Sequence, residues 1–128
     1  MTDVPYLSAF VRLRNFDLLA EVTFLVDTGA DVTVLNPQDS SRLLPPGGRA
    51  RLRDPIQFGG AGAGLDHYPE HADVYFRHDD GRVEQIAATV YIATPAEANR
   101  NLESLLGRDI LGNFVMTFDQ AGRALTLA

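Results

Sequence analysis

Along residues 7–14, LSAFVRLR, apolar and polar positions alternate, placing Phe10 and Arg12 on one face and Val11 and Leu13 on the other. That spacing predicts a half-buried strand. The run LLAEVTFLV at 18–26 is nearly continuous in apolar residues and predicts a second strand, more buried than the first. A third strand is predicted at DVTVL, 31–35, followed by Asn36, Pro37 and the polar QDSS, which predict a short helix opened by an asparagine cap with proline in its first turn. LLPPGGRA at 43–50 reads as a loop, and strand patterning returns in RLRDPIQF at 51–58. On either side of HDDGR, 78–82, the segments HADVYF and VEQIAATVYI flank Asp80-Gly81, a hairpin signal. PAEANRNLES is polar and loop-like, RDILGN predicts a short helix, and FVMTFD and RALTLA predict a last hairpin turning at Gln120 to Gly122. Many short strands with at most two short helices predict an all-β domain, closed or sandwich-like. A length of 128 residues predicts one domain over 1–128, long enough to bury a core without staples.

Composition narrows the chemistry. No apolar run approaches the roughly 20 residues that span a bilayer, so no membrane partner is expected. The first residues, MTDVPYLSAFVRLR, lack the basic start, apolar core and small-residue cleavage site of a secretory signal, and a cytoplasmic location is expected. The absence of cysteine removes disulfides, thiol nucleophiles and thiolate metal sites. A formal charge of -6 and a pI near 4.8 disfavour nucleic acid as a partner. The basic cluster RARLR at 49–53 is read as a solvated strand face.

Candidate chemistry concentrates in FLVDTGADVTVL, 24–35. Asp27-Thr28-Gly29 alone fits a turn in which Asp27 bonds the local backbone. A surface turn, however, needs neither FLV before it nor VTVL after it. The arrangement delivers a carboxylate to the end of a buried strand, where Thr28 supplies a hydroxyl and Gly29 allows close approach of backbone or substrate. Such a group suits acid-base work on water, but amide hydrolysis needs both a base and an acid. The sequence holds no other Asp-Thr-Gly or Asp-Ser-Gly. The simplest source of a second carboxylate is another copy of the chain, meeting the first across a two-fold axis. Two carboxylates in contact share one proton and so present one acid and one base.

Three segments in order, FLVDTGADVTVL, the glycine-rich FGGAGAG at 58–64 and LLGRDIL at 105–111, resemble the retropepsin-like aspartic proteases, retroviral enzymes with single-domain cellular and bacterial relatives. The resemblance extends over roughly residues 8–119. It implies a closed, barrel-like all-β fold with a short C-terminal helix and a flap hairpin, acting as a homodimeric endopeptidase on polypeptide, with no cofactor. Catalysis would fall to Asp27, with Thr28 locking the two catalytic loops together and Gly29 beside them. Gly29, Ala30 and Asp31 would contact substrate backbone, the flap residues Gly59, Gly60, Ala61 and Gly62 would close over it, and Leu105 would line a side-chain pocket. Gly107 and Arg108 would support the site, with Arg108 paired to Asp31 beneath the groove. The same fold also suits a non-enzymatic module that binds peptide or dimerises.

Other chemistries fit less well. GGAGAG is followed by neither a dinucleotide fingerprint nor GK[ST], and LDHYPEH places Pro69 where a helix would have to begin. His67 and His71 would suit zinc from a helix, but Pro69 and the strand pattern between them argue against a metal. No G-x-S-x-G marks a serine nucleophile.

Overall fold

The computed structural model describes residues 5–58, 65–97, 101–114, 116–119 and 124–127. Nine strands account for most of it: β1 Tyr6–Leu13, β2 Leu19–Val26, β3 Thr33–Leu35, β4 Ile56–Phe58, β5 Leu65–Arg77, β6 Val83–Ala93, β7 Leu105–Leu106, β8 Met116–Asp119 and β9 Ala124–Leu127. Two short helices, α1 Pro37–Ser41 and α2 Arg108–Leu111, and a 3-10 turn at Gly48–Arg51 complete the elements. The main sheet runs β1-β2-β7-β3-β6-β5-β4, and β1 also pairs with β5. The strands therefore close into a ring, with β4 hydrogen-bonded to the outer part of β5. β8 and β9 pair antiparallel in a separate two-stranded sheet, and the turn expected at Gln120 to Gly122 lies outside the described residues.

The ring closes because each strand offers one apolar face. Val11 and Leu13 of β1, Val22 and Phe24 of β2, Val74 of β5, and Val90 and Ile92 of β6 have no exposed surface and meet in one core with Leu106 and Ile110. Each such side chain contributes about 1.5–3 kcal/mol on burial. β1 and β2 share one burial pattern, alternating along both, so β2 is not the more buried strand that its apolar run suggests. Leu19 remains 57% exposed because it stands on the outer face, where period 2 rather than average hydrophobicity sets the environment.

Closure between β1 and β5 is braced by charge. Arg12 stands opposite Asp73 in the register, and the buried Asp73 carboxylate accepts from Arg12 Nη2 at 2.8 Å, Arg14 Nη2 at 2.8 Å and Gln85 Nε2 at 3.0 Å. Hydrogen bonds from Arg14 and then Gln85, with the charge of Arg14 and a further hydrogen bond from Arg12, hold this carboxyl well below the usual carboxylate range against the opposing effect of burial.

Local signals behave as their chemistry requires. Asn36 caps α1, its side chain accepting from Asp39 N at 2.7 Å, with Pro37 in the first turn. β5 and β6 join at the Asp80-Gly81 turn, where His78 N donates to Arg82 O at 2.8 Å. RARLR departs from its expected strand. Gly48–Arg51 winds into the 3-10 turn after Pro45 and Pro46, and Asp54 has a φ of 58°, so strand geometry resumes only at Ile56. Arg51 stacks over the Phe16 ring at 4.6 Å, and Arg49 donates to the buried Ser40 hydroxyl at 3.0 Å.

Candidate active site

β2 and β3 do not pair with each other. Both flank β7, β2 in parallel (Val26 opposite Leu106) and β3 antiparallel (Val34 opposite Leu105), so residues 27–32 must pass around the end of β7. That crossing is tied down by main-chain bonds. Asp27 N donates to Leu106 O at 3.1 Å, Ala30 N to Asp27 O at 3.1 Å, and Arg108 N to Ala30 O at 2.8 Å. The Asp27 carboxylate accepts from Gly29 N at 2.9 Å. A Cβ at position 29 would stand 3.2 Å from the same carboxylate oxygen, a tight approach that would press on the Asp27 side chain. Asp27 is half-buried, while Thr28 and Gly29 are exposed. The loop thus carries a half-buried carboxylate on a backbone held by these hydrogen bonds.

Beneath the loop lies a buried polar anchor. The Thr33 hydroxyl, fully buried, donates to Asp109 Oδ1 at 2.8 Å and accepts from Gly107 N at 3.1 Å. Asp109 also accepts from Thr33 N at 3.2 Å and from Ile110 N at 2.9 Å, joining β3 to the first turn of α2. Gly107 has no alternative here, since a Cβ would lie 2.3 Å from Val32 O. Sequence reasoning missed Thr33 and Asp109. Each is a single polar residue, the threonine within VTVL and the aspartate directly after Gly-Arg in LLGRDIL, and neither stretch points to the other.

Arg108 Nη2 donates to Asp31 Oδ1, so the expected pair forms. In the single chain 61% of the arginine and 80% of the aspartate side chain are exposed, so the expected burial of the pair is not found there. Arg108 is the first residue of α2.

Beside the loop opens a cleft of about 680 Å³. Ala30, Asp31 and Val32 of the loop line it together with Leu102, Glu103, Leu105, Phe58, Leu65 and His67. The expected site residues Ala30, Asp31 and Leu105 therefore share one cavity, whose lining does not include Asp27, Thr28 or Gly29. Phe58 pairs with Leu65 across the β4–β5 ladder. Gly59, Gly60, Ala61 and Gly62, expected in the flap, lie outside the described residues.

The family model for retroviral aspartyl proteases matches residues 3–118. The chain belongs to that family. Among solved structures, a retropepsin-like aspartic protease from Rickettsia conorii is similar with a TM-score of 0.62 and 18% identity, over 99% of this chain and 96% of that one. The EIAV protease, solved in complex with the inhibitor HBY-793, has a TM-score of 0.55 and 22% identity, over 88% and 89%. The retroviral protease-like domain of Ddi1 from Leishmania major has a TM-score of 0.50 and 17% identity, over 97% and 89%. No curated protein matches the sequence. At these identities the structural likeness concerns the fold, an all-β retropepsin-like one.

In this retropepsin-like chain the two histidines of H-x-x-x-H fall on one strand, β5, four residues apart. Their backbone positions are then separated by about 13 Å, too far to share one ion directly. His67 Nδ1 instead lies 2.9 Å from Leu65 O, with its ring edge-on to Phe58 at 5.0 Å between centroids.

Proposed function

We propose that this retropepsin-like chain is an aspartic endopeptidase that acts as a homodimer. The observation that carries the reading is the Asp27 loop, a half-buried carboxylate fixed by main-chain bonds to β7 and α2 beside an apolar cleft. With one Asp-Thr-Gly per chain, the second carboxylate comes from a partner copy across a two-fold axis. The two Asp27 carboxyls share one proton. The ionised one takes a proton from water as the oxygen attacks the peptide carbonyl carbon, and the protonated one gives its proton to the carbonyl oxygen. Collapse of the resulting diol breaks the C–N bond as a proton reaches the nitrogen. No bond forms between enzyme and substrate, and neither a cofactor nor a metal takes part.

Thr28 joins the two loops across the dimer, and Gly29, Ala30 and Asp31 receive the extended substrate backbone. Gly59, Gly60, Ala61 and Gly62 cover the substrate, Leu105 packs against one of its side chains, and Gly107 and Arg108 keep the loop in place. The protein works in the cytoplasm on polypeptide.

The test is cleavage of a diverse peptide mixture across pH, with and without a statine-type transition-state mimic, by the unmodified protein and by Asp27→Asn. The expected outcome is inhibitor-sensitive cleavage that Asn abolishes with the circular dichroism spectrum unchanged. Peptide binding without turnover, or full activity in the Asn variant, would overturn the reading.

A further inference from the structure

The cleft beside the Asp27 loop has a mostly apolar lining that also includes two carboxylates. Leu25, Val32, Val34, Phe58, Leu102 and Leu105 belong to that lining, and the carboxylates in it are Asp31 and Glu103. They differ in what they already hold. Asp31 is engaged by Arg108, so its charge is compensated. Glu103 accepts from the Tyr6 hydroxyl at 2.6 Å. A neutral hydroxyl orients the carboxylate without cancelling its charge, and among the described residues no cation lies within ion-pair distance of it. The remaining titratable side chain at the cleft, His67, has Nδ1 at the Leu65 carbonyl.

We propose that this cleft selects a basic substrate side chain, arginine or lysine, with Glu103 as the specificity-determining residue and Tyr6 as its positioning residue. The proposal rests on the peptidase reading and names the substrate class of that site. A side chain suited to the cleft has several methylenes to lie against leucine and valine and a cation at its tip to meet Glu103. A purely aliphatic side chain fills the walls but leaves the carboxylate unanswered, and an acidic one meets it with like charge. The overall charge of -6 acts in the same direction, drawing basic peptides toward the chain. Glu103 is an exposed residue of the lining, which limits the size of the preference. An ion pair at such a site discriminates arginine from norleucine by about 2- to 5-fold.

The test uses peptide libraries in which each position near the scissile bond is fixed in turn as arginine, norleucine or glutamate, all assayed at one pH. Two readouts run in parallel: kcat/KM for cleavage, and anisotropy-detected binding of non-cleavable reduced-amide versions. At one position the unmodified protein should favour arginine over norleucine by about 2- to 5-fold in both. Glu103→Gln should bring that ratio close to one, Glu103→Lys should shift the preference to glutamate, and Tyr6→Phe should reduce the ratio in part. Norleucine preferred at every position, or an arginine preference that survives both Glu103 variants, would overturn the proposal. If the binding ratios follow the expected order while no peptide is cleaved, the basic-side-chain cleft stands and the peptidase reading fails.

Discussion

Replacing Thr33 with valine tests whether the anchor under the Asp27 loop matters to the site. Valine keeps the shape but removes the hydroxyl, which both donates to Asp109 and accepts from Gly107 N. Gly107 N is then left buried without its acceptor, at a cost of about 1–3 kcal/mol. Loss of the bond to Asp109 costs less, because Asp109 is exposed to water and keeps the Thr33 and Ile110 amides as donors. The added methyl in a fully buried position returns about 0.8 kcal/mol. The net destabilisation is about 1–3 kcal/mol, a fall in Tm of roughly 5–10 °C at this chain length. Thr33→Ser is the control, since it keeps the hydroxyl and loses one methyl, about 1 kcal/mol. Urea denaturation and amide exchange of Gly107 followed by NMR measure the two effects, and peptide cleavage reports on the loop. Valine should expose the Gly107 amide to faster exchange and reduce kcat more than serine does. A valine variant with unchanged Gly107 protection, and with stability and turnover at least equal to those of the serine variant, would refute the reasoning.

Other outcomes follow from the same geometry. Arg108→Ala should change the unfolding free energy of the chain by no more than about 1 kcal/mol, because the pair with Asp31 is exposed; where a second copy covers the pair, the loss appears in dimer dissociation measured by sedimentation. Asp73 has a depressed folded-state pKa, so its contribution to stability is complete above the ordinary carboxylate range and is lost as pH falls through that range toward the lower folded value. The Tm difference between the unmodified protein and Asp73→Asn should therefore be largest near neutrality and shrink below about pH 4, and a difference independent of pH would contradict the assignment. Specific activity should fall on dilution below the dimer dissociation constant, since each chain holds one Asp27; constant turnover per chain there would exclude a shared site.

The loop and its neighbours were legible because their signals are local. FLVDTGADVTVL shows two apolar strands broken by an acidic turn, Asn36-Pro37 caps a helix, and Asp80-Gly81 turns a hairpin, all within a few residues. The anchor was not legible, because Thr33 and Asp109 stand 76 residues apart and nothing in either neighbourhood requires the other. Asp73 escaped notice for the same reason: in sequence it is one polar residue in an alternating strand, and its partners on β1, just after β1 and on β6 come to it only when the ring closes. The expected burial of Asp31 with Arg108 failed differently. The contact formed as the family resemblance implied, but its environment depends on what covers that face, which a single sequence does not encode.

An aspartate in an apolar run is costly only if the fold buries it without partners, and this fold does not. β2 ends at Val26, which is buried, and Asp27 is the first residue beyond the strand, half-buried, with its carboxylate on the Gly29 amide. The groups that fix the loop, Leu106, Gly107 and Thr33, lie inside, while Thr28, Gly29, Asp31 and Arg108 lie outside. A loop serving only to reverse the chain would need no such buried anchor, because its polar groups could turn to water. Rigid support beneath and polar exposure above are what the proposed half-site would require, since a catalytic group shared across a two-fold axis would have to arrive already positioned and pay little further ordering entropy when a partner supplied the other half.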